Sequence, residues 1–300
     1  MATMNFSDEL LAKFDLPSVN FDKIYADSDD DNVDLMMDSL KIGSDPELFI
    51  INTKTNKVVS SIGLIPGKKG QAWTDPSWKK GYGLETDNVL AEFNIPPAET
   101  CEEFINSMEF MKNFIDKFVK SKNPDYGIMH KASAIVDDDQ LQSDEAKEFG
   151  CSIDYNIYTE APNPKPCGET TNVRSTGCHI HCSYAKRNQR KSLELLHYMD
   201  AYVGVPSVIL DNNEDAIRRR TLYGKAGCFR LCPYGFEYRP LSGKFLANKL
   251  LEEFMFKATQ HAILAYVMGY EIPNGNDIQN CINNSDVALV KKLIKDYKLI

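Results

Sequence analysis

Residues 176–184 read TGCHIHCSY. The alternation marks a β-strand, whose successive side chains point to opposite faces. His179 and His181 then share one face, and Cys178, Ile180 and Cys182 share the other. The imidazoles look into a polar site, while the thiols and Ile180 pack as small hydrophobes. The same parity disfavours a zinc site using both residue types, because its ligands would straddle the sheet. What the fold becomes depends on whether other strands offer polar residues to the imidazole face.

Residues 43–53, GSDPELFIINT, give a strand that carries Asp45 and Glu47 on one face. Two carboxylates side by side repel unless a cation lies between them. Residues 236–242, FEYRPLS, place Glu237 and Arg239 together. Such a pair is either a simple ladder contact or, facing the first two strands, a holder of metal and phosphate. Asn88–Ile95 is another strand candidate, ended by Pro96-Pro97. It carries Glu92 between Ala91 and Phe93, where an acid calls for a metal or an arginine; Glu85 and Asp87 precede it. Asp211–Gly227 reads as a polar, Arg-rich loop. The stretch 218–230 holds five cations in 13 residues, among them Arg220, Lys225 and Arg230. It is a solvated basic loop or an anion clamp that closes over a nucleotide.

The helices are read from periodicity. Thr100–Lys120 opens with a capping box, Thr100 and Glu103, and repeats Phe104, Met108, Met111, Ile115 and Phe118 at helical spacing. Lys191–Val205, residues 244–268 and Ser285–Tyr297, with Ser285 as N-cap, are further helices. Strands separated from helices, without strict βαβ alternation, predict an α+β fold with an antiparallel sheet.

The 300 residues suffice for a core without disulfides, and 43% hydrophobic with 26% charged residues excludes collagen-like, coiled-coil and wholly disordered chains. The net charge of −9 is uneven: residues 1–40 hold ten acids against two lysines. We therefore divide the chain into an acidic N-terminal arm, 1–40, expected to be largely solvated and dispensable for catalysis, and a near-neutral catalytic domain, 41–300. Short helices are expected in the arm around Asp8–Phe14 and Val33–Leu40, with its few apolar residues able to dock on the body. The body has no basic excess, which argues against a dedicated nucleic-acid surface. No run of 18 apolar residues and no apolar leader occur, so we expect a cytosolic protein that does not engage membranes. The eight cysteines are expected to be free thiols. GLIPGKK at 63–69 has the wrong spacing for a Walker A loop, and neither G-x-G-x-x-G after a strand nor G-x-S-x-G is present.

The ordered set of motifs resembles the glutamine synthetase and glutamate–cysteine ligase superfamily of carboxylate–amine ligases over roughly residues 41–270. GSDPELFI is similar to its first acidic strand, GCHIHC to its glycine–histidine strand and FEYRPLS to its final Glu-x-Arg strand. The stretch 223–242, YGKAGCFRLCPYGFEYRPLS, most resembles the small ligase-like family of tailed phages. The resemblance implies a glutamine-synthetase-like sheet curved into a funnel, helices on its outer face, and ATP and the acceptor entering from opposite ends. It implies Mg²⁺ or Mn²⁺ held by Glu47 and Glu92, with Asp87 added, and by Asp45, His179 and Glu237. Arg230 and Arg239 would bind phosphate and act with Glu237 in catalysis; Lys225, Arg220 and His181 would serve the nucleotide. Asp45 stands where the superfamily commonly has Glu. The implied reaction is ATP-dependent amide formation through an acyl phosphate. The substrates would be small-molecule or peptide carboxylates and amines, the location the host cytoplasm if the chain is phage-encoded, and some relatives form oligomeric rings. Two other functions fit the same residues: a metal-dependent hydrolase using His179, His181 and the acids, and a non-catalytic binding protein that keeps a ligase fold.

Overall fold

The computed structural model describes residues 3–15, 19–27, 31–147, 154–164 and 171–300. Cys151, Cys167, Asp29 and Asp30 lie outside the described residues. The strands in chain order are β1 (Lys41–Asn52), β2 (Lys57–Val59), β3 (Gly83–Asp87), β4 (Leu90–Ala98), β5 (Tyr126–Met129), β6 (Ser133–Ile135), β7 (Tyr155–Asn156), β8 (Ala161–Pro162), β9 (Val173–Ser175), β10 (Cys178–Ser183), β11 (Cys228–Cys232) and β12 (Gly235–Tyr238). The main sheet runs β3-β4-β1-β10-β12-β11-β7-β8, with β2 and β5 also on β1. Its pairings are antiparallel, as the α+β reading expects.

The helices are α1 (Asp8–Leu11), α2 (Phe21–Ala26), α3 (Asp31–Asp38), α4 (Cys101–Lys122), α5 (Asp144–Lys147), α6 (Gln189–Met199), α7 (Val205–Leu210), α8 (Glu214–Leu222), α9 (Lys249–Val267), α10 (Gly275–Asn284) and α11 (Val287–Tyr297). One sheet face is apolar. Ile42, Leu48, Cys178, Ile180, Cys182, Phe236 and Tyr238 are buried there in one core with α4, α6 and α9. In α4 the expected capping box forms, and Phe104, Met108, Met111, Ile115 and Val119 make the buried stripe. Cys178 Sγ lies 3.6 Å from Met255 Sδ of α9, so the β10 thiols pack as hydrophobes, and burial pushes both thiols up. The opposite face carries charge, bounded at one end by a small cluster around Phe49, Val58, Val89 and Val136.

The described part of the arm joins this core. Leu10, Phe14, Phe21, Val33 and Met36 are buried in it, and Phe21 stacks on His261 of α9 at 3.5 Å between ring centres. Apolar residues spaced among the acids dock on α9, while Asp8, Glu9, Asp15, Asp31, Asp34 and Asp38 are exposed.

Several expectations are corrected. Asp211–Gly227 is not all loop: α8 forms inside it, capped by Asn213. Its weak apolar periodicity hid it. Ser285 does not cap the last helix. It ends α10 with left-handed backbone, φ 54°, and Asp286 caps α11. β4 runs through Pro96-Pro97 to Ala98. The register with β1 shifts there, so the missing N–H groups interrupt no regular ladder. α6 continues past Met199 as a π-turn, Asp200–Gly204, before α7.

Candidate active site

The register lines the charged side chains up across six strands. Glu85 of β3 stands opposite Glu92 of β4, and Glu92 opposite Glu47 of β1. Two residues along β1, Asp45 faces His179 of β10; His181 faces Glu237 of β12, and Glu237 faces Arg230 of β11. Side chains on paired residues of an antiparallel sheet share a face. A single row of acids, imidazoles and guanidiniums follows.

The β10–β12–β11 side is mutually paired. His179 Nδ1 is 3.1 Å from Asp45 Oδ1 and 3.3 Å from Glu237 Oε1. His181 Nε2 is 3.0 Å from Asp45 Oδ1, and its Nδ1 meets the Tyr234 hydroxyl. Glu237 is fully buried between two guanidiniums: Arg230 Nε donates to its Oε2 at 2.6 Å, and Arg239 Nη1 contacts its Oε1. The Tyr223 hydroxyl accepts from Arg239 Nε at 2.6 Å. Burial opposes ionisation of Asp45, but the His181 and His179 imidazoles hold its carboxyl well below the usual range. His179 is lowered by burial and by Arg239; for His181, Asp45 outweighs burial and raises it. Gly177 precedes the β10 motif for a steric reason. A Cβ there would lie 2.5 Å from His179 Nε2, so only glycine leaves room for the ring.

The β3–β4–β1 side is not balanced. Glu47, Asp87 and Glu92 bring one ligand atom each to within 4.8 Å of one another. Burial, then Asp87, pushes Glu47 up to about 8. Burial, then Asp45, Glu47, Asp87 and Glu85, raises Glu92 well above its ordinary value. Glu85 is raised by burial and Asp87. The main opposing contacts are the Gly177 N–H, donating to Glu47 Oε2 at 2.6 Å, and Lys69 Nζ, 2.7 Å from Asp87 Oδ1. Asp45, His181 and Glu237 make a second cluster within the same 4.8 Å limit.

The structure thus brings Asp45, Glu47, Asp87, Glu92, His179, His181, Glu237, Arg230 and Arg239 to one face. Lys225 is exposed on the turn before β11. Arg220 is corrected: it is buried in α8 and donates to Asp211 O at 2.9 Å and Ser285 Oγ at 2.8 Å, tying α8 to the α10 terminus. Arg219 likewise donates to the backbone oxygens of Thr176, Pro240 and Leu241. Oxygens of the fold hold both guanidiniums, so Arg219 and Arg220 are scaffold rather than part of a mobile clamp. Three site residues were not anticipated. Glu85 could have been found from its parity with Asp87. Tyr223 and Lys69 carry no local signal, because their partners lie 16 and 18 residues away.

The donors suit a hard divalent cation. Each cluster offers carboxylate oxygens, with an imidazole in one, and His179 Nε2 is buried with no hydrogen-bond partner. Unshielded acids that raise one another's pKa fit a site completed by a cation. The described cysteines are free, and Cys178 and Cys182 face away from the site. No helix among the described residues is long and apolar enough to cross a membrane.

No curated protein matches the chain. In structure it is similar to a glutamine synthetase from Plasmodium falciparum (14% identity, TM-score 0.46, 84% of this chain and 55% of that one). It is also similar to a ligand-free GmaS (12%, 0.42, 87% and 69%) and to a bifunctional glutathione synthetase from Pasteurella multocida (7%, 0.42, 88% and 50%). It therefore spans little more than half the length of that glutamine synthetase. Residues 168–268, which include β9 through α9, match the family model described as phage phiEco32-like COOH.NH2 ligase-type 2.

Proposed function

We propose that this chain is an ATP- and divalent-metal-dependent carboxylate–amine ligase working through an acyl phosphate. The observation that carries the reading is the row itself: carboxylates from β3, β4, β1 and β12 converge with two imidazoles and two guanidiniums. ATP would transfer its terminal phosphoryl group to the substrate carboxylate, releasing ADP. The amine would then attack the acyl carbon, with phosphate leaving and the amine losing a proton. Neither step needs a protein nucleophile; both need positioning and charge stabilisation.

Glu47, Glu92 and Asp87 would hold one cation, and Asp45, His179 and Glu237 another. When bound, these cations would neutralise charge on the phosphate oxygens. Arg239 and Arg230 lie against Glu237, where their guanidiniums can also reach phosphate oxygens. Tyr223 orients Arg239 through its Nε. The small apolar cluster at Phe49 limits water at one end of the row, which strengthens each electrostatic contact. Lys225, exposed beside β11, would serve a nucleotide phosphate. The carboxylate and amine would be small molecules or peptides.

A screen for ADP release across amino acids and amines with Mg²⁺ tests the reading. ADP formation that requires both a carboxylate and an amine is expected. Amide or phosphate hydrolysis without nucleotide would replace it with the hydrolase reading.

A further inference from the structure

We infer that Lys69 is a built-in competitor for the cation at the Glu47–Asp87–Glu92 cluster, holding Asp87 until a divalent ion displaces it. The inference rests on the metal reading of that cluster.

Lys69 Nζ sits 2.7 Å from Asp87 Oδ1, yet the two side chains differ in environment: 43% of the Lys69 side chain is exposed and only 7% of Asp87. The ammonium therefore reaches in from solvent to a buried carboxylate. It comes on a tight turn, Lys68–Gln71, closed by Gln71 N donating to Lys68 O at 2.8 Å. Lys68, Lys69, Gly70 and Gln71 are exposed. The turn's base is fixed. Trp73 and Leu84 exchange two backbone hydrogen bonds of 2.8 Å, and a Cβ on Gly67, at φ +86°, would lie 2.2 Å from Leu84 O. Its tip is open: Gly70, at φ +74°, has nothing within 4 Å of where a Cβ would be. The Lys69–Asp87 pair thus ties the turn tip to the row.

One ammonium does not satisfy this cluster. Three carboxylates, Glu47, Asp87 and Glu92, bring ligand atoms within 4.8 Å of one another, and Lys69 pairs only with Asp87. A divalent ion carries twice the charge and binds carboxylate oxygens directly. It competes with the ammonium for the Asp87 carboxylate. Taking that carboxylate's charge releases Lys69 and loosens the tip while Trp73–Leu84 keeps the base in place.

The test is Mn²⁺ binding to the full chain without nucleotide, followed by the electron paramagnetic resonance of free Mn²⁺. Lys69→Met keeps length and removes charge. It should tighten one class of Mn²⁺ sites by at least about threefold, the range of a partly exposed ion pair, while Lys69→Arg stays near wild type. Unchanged or weaker binding in Lys69→Met overturns the inference and leaves the metal reading standing. Wild-type protein that binds no Mn²⁺ overturns both. A second measurement uses only the wild type: Lys69 methylation under reductive alkylation, read by mass spectrometry, should accelerate when Mn²⁺ is added. An unchanged or slower rate contradicts displacement even if the variant does not fold.

Discussion

The two halves of the charged row differ in how they are neutralised. On the β10–β12–β11 side, two carboxylates, Asp45 and Glu237, meet two guanidiniums and two imidazoles at hydrogen-bonding distances. On the β3–β4–β1 side, four carboxylates meet one lysine. In the first half both carboxylates have basic partners as folded, and His179 Nε2 is left without one. The second holds its acids against their own repulsion, stability that the core on the other sheet face must supply. A site that stores uncompensated acids beside a pre-paired phosphate-binding half is suited to a cation arriving with a polyphosphate.

The largest expected effect is on the paired half. Glu237→Gln should reduce ADP formation at least about a thousandfold. It should also lower stability by about 3–5 kcal/mol, because Arg239 and Arg230 lose a buried partner. Thermal melts and the ADP assay check both; a stable, active variant would mean the half is not a unit. Glu92→Gln should likewise abolish turnover, yet in chelator near neutral pH it should raise stability by about 1 kcal/mol, since it removes a buried acid that the fold forces to keep a proton the unfolded chain gives up. Opposite signs of stability change for two acids in one row are the sharpest form of the comparison.

The pH dependence has a definite sign. Glu47 is raised in the folded protein from 4.5 to about 8, so the folded state keeps a proton that the unfolded state gives up. Its contribution is fully present below about 4.5 and is lost as pH rises toward about 8. Urea unfolding in chelator should show stability falling over that window, and Glu47→Gln should flatten the slope. A slope unaltered by the substitution would mean that Glu47 does not hold the proton. The smallest effect lies across the sheet. Cys178→Ser should cost about 1 kcal/mol of packing and leave turnover unchanged. A loss of turnover there would mean the apolar face also takes part in chemistry.

Much of the row was legible because a strand's period of two converts spacing into facing. Asp45 and Glu47, His179 and His181, and Glu237 and Arg239 each share parity, and the register then placed the pairs side by side. Strand order was not legible, since pairing of β1 with both β4 and β10 is set by long-range packing. β3 was only partly visible: Glu85 and Asp87 stood out as acids, but five residues after a Gly-rich stretch give little alternation. The arginine run misled for a related reason. Charge suggested an exposed clamp, while Arg219 and Arg220 fold inward to backbone oxygens that no local pattern announces. The arm was legible in part: its apolar residues were expected to dock on the body, but its net charge gave no sign that Leu10, Phe14 and Phe21 would be buried in the same core as α9.

The central claim is that both halves serve one metal–nucleotide site. Anomalous diffraction from crystals grown with Mn²⁺ and a non-hydrolysable ATP analogue tests it most directly. The account predicts one Mn²⁺ peak among Glu47, Asp87 and Glu92, another among Asp45, His179 and Glu237, and phosphate density against Arg239 and Arg230. Mn²⁺ confined to other acids, or nucleotide bound away from this face, would contradict it.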